Sequence, residues 1–191
     1  MKYFEQLEFP VFSNLLFDLN QLIDSGKVEW GKNKQLCINT VKESPDDYKL
    51  GTGSLDHDWA NSYTVVENGI SKVVVPKKEF PLSDTDFTEL CSQFKGTEFE
   101  NLYNFIKTKF NIGRVRIMRS EPKTCLSWHL DHSSRIHYPI TTQEGCFMVI
   151  EDEVLHLPKD TWWLTSTTKM HTAFNASKES RIHLVVCLID Q

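Results

Sequence analysis

From Gly113 to its end, the chain consists of short strand-like segments separated by turn sequences. The predicted strands are 114–119, 125–131, 134–140, 145–150, 153–157, 161–165 and 180–189. Parallel strands need long crossover connections, so strands at this close spacing indicate an antiparallel sandwich or barrel. A jelly roll fits the pattern, and it would bring strands that are distant in sequence together at its mouth. The sequence therefore predicts a mainly β fold.

Three capping signals in the first part of the chain predict helices that flank this sheet. Apolar residues recur at helical spacing after each signal, which indicates that each helix buries one stripe. The predicted helices begin after Ser13 and stop at Gly26, begin after the pair Ser83 and Asp86 and stop at Gly96, and begin after Thr97 with Glu100.

Asn68-Gly69 stands between two β-rich segments, 63–67 and 70–75. This dipeptide favours a type I′ hairpin turn, because both central residues of that turn need a positive φ. Residues 35–41 are typical of a further strand, and 44–58 are rich in Pro, Asp, Gly and Ser, which predicts a long loop.

The length of 191 residues allows one well-buried core and predicts one domain, 1–191. Within it we expect residues 1–111 to supply helices, the hairpin and supporting strands. Residues 112–191 would form the jelly-roll core that carries the chemistry. A hydrophobic content of 40% is typical of a globular protein and not of a disordered one.

The formal net charge of −5 argues against a general nucleic-acid binder, which is usually basic. No apolar stretch approaches the roughly 20 residues of a membrane-spanning helix. The start, Met1-Lys2-Tyr3-Phe4-Glu5, does not resemble a signal peptide. The five cysteines include no closely spaced pair, which favours reduced thiols. We therefore expect a cytoplasmic protein; the sequence does not indicate its oligomeric state.

Ser127–His137 contains the motif His129-Leu130-Asp131. Successive side chains of an extended chain point to opposite sides, so His129 and Asp131 point to the same side. Two histidines and one carboxylate, with open positions left over, are the ligand set of non-heme Fe(II) oxygenases. The motif therefore predicts a metal site that needs one more imidazole.

His171 is the candidate for that imidazole. It follows the predicted strand 161–165 and a short polar link, which places it at a strand end near a loop. His132 is adjacent to Asp131 and so faces elsewhere, whereas His156 precedes a tight turn at a surface or edge position. The predicted metal ligands are His129, Asp131 and His171.

Two predicted strands carry the same arrangement, Arg135-Ile136-His137 and Arg181-Ile182-His183. A buried arginine needs a partner, because an uncompensated buried charge costs several kcal/mol. The partner of Arg181 is either a protein carboxylate, such as Glu151 or Asp152, or the carboxylate of a bound ligand. In the second case a bidentate pair would hold a dicarboxylate cosubstrate.

In combination, these residues resemble the aspartyl/asparaginyl β-hydroxylase group of Fe(II)/2-oxoglutarate oxygenases. Much of the pattern is also similar to that of the proline-type amino-acid hydroxylases. The resemblance covers residues 112–190 and rests on His129-x-Asp131, on Arg135-x-His137, and on His171 followed ten residues later by Arg181. It differs from the animal peptide-modifying enzymes in one respect, because they lack the carboxylate ligand that Asp131 provides here.

The resemblance implies a double-stranded β-helix, the cupin-like form of the jelly roll. It also implies hydroxylation of an amino acid, a peptide side chain or a related small polar molecule, with succinate and CO₂ as co-products. The implied site consists of iron on His129, Asp131 and His171, the far carboxylate of 2-oxoglutarate on Arg181, and Arg135 and His137 near the cosubstrate.

Two other functions fit the same residues. A cupin-type metalloenzyme would use the three ligands without 2-oxoglutarate, and Arg181 would then pair with a protein carboxylate. In a non-catalytic binding module, His129 and Asp131 would only stabilise a loop. Metal content separates the last function from the other two, and binding of the cosubstrate separates those two from each other.

Overall fold

A computed structural model describes residues 1–189, with the side chain of residue 60 excepted. Its helices are α1, Leu15–Asp24, and α2, Glu98–Lys107. The strands of the first part are β1 Phe4–Leu7, β2 Gln35–Cys37, β3 Asn39–Thr40, β4 Tyr63–Glu67, β5 Ile70–Val74 and β6 Glu89–Leu90. The strands of the second part are β7 Ile112–Ser120, β8 Thr124–Cys125, β9 Arg135–Thr141, β10 Cys146–Ile150, β11 Glu153–Leu155, β12 Trp162–Thr165, β13 His171–Asn175 and β14 Arg181–Leu188.

The strands from β7 to β14 form two antiparallel sheets that enclose one cavity. The larger sheet has the order β1-β12-β9-β14-β7-β2, and the smaller one has the order β11-β10-β13-β8. Apart from the β10–β11 hairpin, each successive strand from β7 onward changes sheet, which is the strand exchange of a jelly roll. The predicted fold class is confirmed: the protein is a double-stranded β-helix of the cupin-like type with flanking helices.

The outer face of the larger sheet packs against α1 and α2. Alternate residues of the central strands point to this side, which gives each strand one apolar and one polar face. The main hydrophobic core lies here, and it includes Leu15, Leu19, Leu22, Leu102, Ile106, Val115, Ile117, Ile136, Tyr138, Leu184 and Val186. The helices therefore bury the apolar face and leave the opposite face of the sheet free for polar side chains.

The inner face of the same sheet is rich in cations. The intervening residues of β7, β9 and β14 point toward the smaller sheet and line the cavity between the sheets. These side chains are Arg114, Arg116, Arg135, His137, Arg181 and His183, all of them buried or half-buried. The fold thus places its hydrophobic core on one side of the sheet and a layer of arginines and histidines on the other.

The hairpin prediction is confirmed. Strands β4 and β5 pair from Tyr63↔Val74 to Glu67↔Ile70. Asn68 and Gly69 both have positive φ, 52° and 77°, as a type I′ turn requires. The prediction for the first helix holds apart from its cap, because Asn14 and not Ser13 occupies the N-cap position.

The predicted helix between Ser83 and Gly96 is wrong. Ser83 and Asp86 do form a capping box, but it caps a single 3₁₀ turn, Asp84–Asp86. The chain then forms β6, which pairs with β3, and the carbonyl of Phe87 accepts a hydrogen bond of 2.8 Å from the Asn39 amide. Backbone groups that a helix would use internally are bonded to neighbouring segments instead.

Two further differences lie in the second part of the chain. Of the predicted strand 125–131, only Cys125 lies in a strand, β8, and the rest is an extended loop with one bridge, His129↔His171. Strand β13 was not predicted. His171 is its first residue and does not lie in a loop after the preceding strand. Strand β1 was also not predicted; its pairing with β12 depends on residues about 160 positions away.

The expected division into 1–111 and 112–191 stays a prediction, and residues 190–191 lie outside the described part. Strands β1 and β2 of the first region join the larger sheet formed by the second. None of the described helices has the length and apolar character of a membrane-spanning segment.

Candidate metal centre

His129 and His171 lie directly opposite each other on two antiparallel segments. Each backbone N–H donates to the other's carbonyl, at 3.1 Å for His129 N–H and 3.0 Å for His171 N–H. Residues paired in this way place their side chains on the same face of the sheet. The two imidazole rings are therefore adjacent, with centroids 4.1 Å apart.

Backbone carbonyls determine which ring nitrogens are available. Nδ1 of His129 lies 2.7 Å from the carbonyl of Ser127, and Nδ1 of His171 lies 3.0 Å from the carbonyl of Lys169. A carbonyl only accepts, so each Nδ1 carries the proton in these bonds. The lone pair is then on Nε2, which is the usual arrangement of a metal-binding histidine.

Asp131 completes the cluster from the same loop. Its backbone N–H donates to the carbonyl of Thr167 at 2.9 Å, which fixes the loop against the end of β12. Its Oδ2 lies 3.4 Å from Nε2 of His171 and 2.8 Å from Nε of Arg135. One potential ligand atom from each of His129, Asp131 and His171 lies within 4.8 Å of the others.

The charges around Asp131 favour its ionised form. Burial alone raises the pKa of this carboxyl, but the neighbouring His171 and the charge of Arg135 outweigh burial and lower the pKa to about 2. With Nδ1 of His171 donating to a carbonyl, Nε2 of His171 and Oδ2 of Asp131 are two acceptors that face each other. A proton or a metal cation between them removes that conflict, so the donor set fits a divalent metal.

The three residues lie on the wall of a cavity of about 880 Å³. The opposite wall is the inner face of the larger sheet. Met148 and Ala173 of the smaller sheet add apolar surface, and Trp59 and His57 of the loop after β3 complete the rim. A cavity of this size holds a small organic molecule together with a second ligand of similar size.

Arg181 is a buried cation that has no counter-charge among residues 1–189. Only 8% of its surface is exposed, and no carboxylate of the described residues lies within ion-pair distance of its guanidinium. Its Nε makes no hydrogen bond. Burial lowers the pKa of Arg181, because desolvation penalises its charged form. The protein partners considered from the sequence, Glu151 and Asp152, do not form this ion pair.

His137 and His183 lie beside Arg181 on neighbouring strands, with their ring centroids 5.8 Å apart. Burial and the charges of Arg181 and Arg135 lower the pKa of His137 to about 3. Burial likewise lowers the pKa of His183 well below its ordinary value. Nδ1 of His137 and both ring nitrogens of His183 have no hydrogen-bond partner in the described structure. This end of the cavity thus carries unmet polar atoms suited to an anionic ligand.

A sequence model of the family described as Aspartyl/Asparaginyl beta-hydroxylase matches residues 33–190. The chain belongs to this family. The match extends well into the first part of the chain, beyond the 112–190 region in which the resemblance was seen.

A curated relative of this hydroxylase-family chain is named L-proline cis-4-hydroxylase, from Rhizobium meliloti (strain 1021). It is 28% identical over 94 residues, which are 44% of this chain and 34% of the relative. The chain thus spans about a third of the length of that relative.

Solved structures with a similar fold include AviO1 from Streptomyces viridochromogenes Tue57, with 13% identity and a TM-score of 0.46 over 98% of this chain and 90% of that chain. An oxidoreductase of the 2OG-Fe(II) oxygenase family from Burkholderia pseudomallei has 14% identity and a TM-score of 0.36 over 66% of this chain and 71% of that chain. At these TM-scores nothing about activity follows.

In this family member, the structure brings all six site residues named from the sequence to one cavity. The contributors to that cavity that were not identified as site residues include Arg114 and Arg116 of β7, and Asp84 and Gln35 that contact them. A signal was present, since Arg114-Val115-Arg116 repeats the alternation of the two Arg-x-His pairs. His57 and Trp59, which lie in and just after the predicted loop 44–58, also line the cavity.

Proposed function

We propose that this chain is an Fe(II)- and 2-oxoglutarate-dependent dioxygenase that hydroxylates an amino acid, a peptide side chain or a related small polar substrate. Succinate and CO₂ would be the co-products. The observation that carries this proposal is the combination of two features in one cavity. These are the cluster of His129, Asp131 and His171, in which Nε2 of both histidines is unprotonated, and the buried Arg181, which has no carboxylate partner in the described part of the chain.

His129, Asp131 and His171 would hold the iron. Three protein ligands leave coordination positions open, as catalytic metal sites require. Iron(II) bound there would supply dioxygen activation coupled to the oxidative decarboxylation of 2-oxoglutarate. The carbonyls of Ser127 and Lys169 orient the two imidazoles, and Arg135 holds the carboxylate of Asp131 in place.

Arg181 would bind the far carboxylate of 2-oxoglutarate. A guanidinium matches a carboxylate by two parallel hydrogen bonds, and burial strengthens that pair because water does not screen it. Neutral His137 and His183 can donate or accept a hydrogen bond at this end of the cavity without adding charge. Arg135 and His137 would lie near the cosubstrate. The walls of the cavity would exclude water from the reacting groups.

Two findings support a small amino-acid-like substrate. The relative named L-proline cis-4-hydroxylase shares 28% identity over 94 residues of this chain. The cavity has room for a second small molecule beside a five-carbon cosubstrate. The cytoplasmic location expected from the sequence stays a prediction.

The proposal is tested without knowledge of the substrate. Fe(II) and then 2-oxoglutarate are added anaerobically to metal-free protein while the visible absorption is recorded. We expect the charge-transfer band of 2-oxoglutarate bound to Fe(II), and we expect it to be absent in His171→Ala. Bound iron without the band would favour a cupin-type metalloenzyme that does not use 2-oxoglutarate. Failure to bind iron would contradict the proposal.

A further inference from the structure

Exposed apolar side chains line the opening of the cavity. Trp59, Leu126 and Leu130 belong to the cavity wall, and yet 63%, 44% and 59% of their surfaces are exposed. Residues with both properties lie where the cavity meets the solvent; we call these three the apolar mouth. Polar residues such as His57 and Ser127 lie beside them on the same wall. An exposed apolar surface with a polar rim is typical of a binding site.

Backbone hydrogen bonds hold the apolar mouth in place. The two leucines belong to the loop between β8 and β9, and Leu126 N–H donates to the carbonyl of Ala173 in β13 at 3.0 Å. Directly before Trp59, the N–H of Asp58 donates to the carbonyl of Pro76 at 2.7 Å. Two segments that are distant in sequence therefore present apolar side chains at the same opening.

The polar and the apolar parts of the cavity lie at different depths. Arg181 and His183 are buried, so they lie away from the opening. On the side of Trp59, Leu55 and Leu82 also line the cavity and continue its apolar surface inward. A ligand that matches this cavity has a polar group inside and a hydrocarbon group at the opening.

The volume of the cavity leaves room for such a group. At about 30 Å³ per heavy atom, the share of one molecule in liquid water, the roughly ten heavy atoms of 2-oxoglutarate would fill about 300 Å³. Together with a free amino acid of similar size, the cosubstrate would leave roughly a third of the 880 Å³ unfilled. Water in that space would keep the apolar surface hydrated, which is unfavourable.

We propose that the substrate carries a hydrocarbon group and that this group binds at the apolar mouth. This inference rests on the proposed function and deepens it, because it adds an apolar part to a substrate class otherwise described as small and polar. The polar part of the substrate would lie further inside. In this arrangement Trp59, the largest side chain of the apolar mouth, determines specificity by contact with the hydrocarbon group.

The test uses neutral alcohols of increasing length, which probe apolar surface without a carboxylate. Protein loaded with Zn(II), which is redox-inert, and saturated with 2-oxoglutarate is titrated calorimetrically with n-butanol, n-hexanol or n-octanol. We expect the affinity to increase about fourfold for each methylene that becomes buried, which corresponds to about 0.8 kcal/mol. The hexanediol with a hydroxyl at each end should bind more weakly than n-hexanol.

Substitutions then locate the binding surface. Trp59→Ser should lower the affinity for n-octanol at least fivefold, and Leu126→Ser should lower it as well. Both side chains are exposed, so we expect the variants to fold with nearly unchanged stability. Trp128→Ser is the matched control, because Trp128 is 51% exposed but lies outside the described cavity wall. It should bind n-octanol as the wild type does.

Three results would overturn the inference. The first is an affinity of the wild type that does not increase along the alcohol series, and the second is an equal loss in Trp59→Ser and Trp128→Ser. The third is a changed sedimentation coefficient of Trp59→Ser with unchanged alcohol affinity, which would assign the apolar mouth to an interface between copies of the chain.

The alcohol titrations are repeated without Zn(II) and 2-oxoglutarate, because the apolar mouth consists of protein residues alone. If the wild type does not bind metal and 2-oxoglutarate, the proposed function fails, whatever the alcohols do. If it binds both and the alcohol series shows no dependence on Trp59, only this inference fails. The two failures are therefore distinguishable.

Discussion

At the scale of single residues, the chemistry of the candidate metal centre depends on which nitrogen of each imidazole carries the proton. The carbonyls of Ser127 and Lys169 accept from Nδ1 of His129 and His171, and this leaves both Nε2 atoms available. The paired backbone then brings the two rings side by side. His156 shows the contrast: its Nδ1 lies 2.8 Å from a carbonyl in the same way, but it lies outside the cluster.

Replacing His171 with alanine is therefore expected to weaken Fe(II) binding by at least about 100-fold. Loss of a hydrogen-bond partner of a metal ligand typically lowers metal affinity about 10- to 100-fold, and loss of the ligand itself lowers it further. Anaerobic calorimetric titration with Fe(II) measures the change. His156→Ala should bind Fe(II) as the wild type does; equal binding by both variants would remove His171 from the ligand set.

Replacing Arg181 with methionine is expected to weaken 2-oxoglutarate binding about 100-fold and to leave Fe(II) binding unchanged. Truncating one partner of a buried, hydrogen-bonded ion pair costs about 2–5 kcal/mol, which corresponds to such a factor. Arg181→Lys should recover only part of the affinity, because lysine cannot form the bidentate pair. The exposed Lys178→Met is the control, and titration of the metal-loaded protein gives the affinities. An unchanged affinity in Arg181→Met would refute the clamp.

At the scale of elements, local sequence signals predicted the secondary structure correctly where local geometry determines it, as in the Asn68-Gly69 hairpin. They failed between Ser83 and Gly96, where the Asn39 side chain competes for the backbone. Its amide nitrogen donates to the carbonyls of Phe87 and Gly113, at 2.8 Å and 2.9 Å, and its oxygen accepts from Val115 N–H at 2.7 Å. One buried residue thus joins three segments.

Asn39→Ala is expected to lower the free energy of unfolding by about 3–5 kcal/mol, because it leaves buried backbone groups without partners at about 1–3 kcal/mol each. Urea unfolding followed by circular dichroism measures the change. Asn101→Ala on the exposed face of α2 removes only a contact with Glu98 and should cost less than about 0.5 kcal/mol. A cost of that small size for Asn39→Ala would contradict its bridging role.

At the scale of the whole molecule, the larger sheet separates the hydrophobic core from the cavity. Its outer face, covered by α1 and α2, contains the main hydrophobic core, while its inner face buries arginines and histidines around the cavity. Burying unpaired polar groups opposes folding. The core on the outer face must therefore offset the cost of the binding site on the inner face.

The burial of His137 and His183 in their neutral form predicts a loss of folding stability in mild acid. The folded-state pKa of His137 is lowered to about 3 and that of His183 also lies below 6.5, so between these values the unfolded chain binds more protons. Stability is then full above pH 6.5 and falls as the pH decreases. Between pH 7 and 5.5 His137 should remove about 1.2 kcal/mol of folding stability, and His183 should add to that loss.

Urea unfolding at several pH values in the presence of a chelator measures this dependence. His183→Leu should lose less stability over this pH range than the wild type does, since one buried histidine remains. His132→Leu, at an exposed position, should follow the wild type. A pH dependence in His183→Leu as steep as that of the wild type would exclude the buried histidines as its cause.

The sequence by itself determined the fold class, the hairpin and the identity of the metal-ligand candidates. These depend on information that is local in the chain: alternation in strands, turn residues at fixed positions, and the His129-x-Asp131 spacing. The two Arg-x-His pairs were found in the same way, because alternation alone places each pair on one face of a strand.

Only the tertiary structure decided what those residues meet. Three features arise from pairing between distant parts of the chain: the bridge between His129 and His171, the segment that replaced the predicted helix, and the position of Arg181 and Arg116 out of ion-pair distance of every carboxylate in the described residues. Hydrogen bonds and burial between such parts depend on which strands become neighbours. That choice is made by packing of the whole molecule, and no local pattern encodes it.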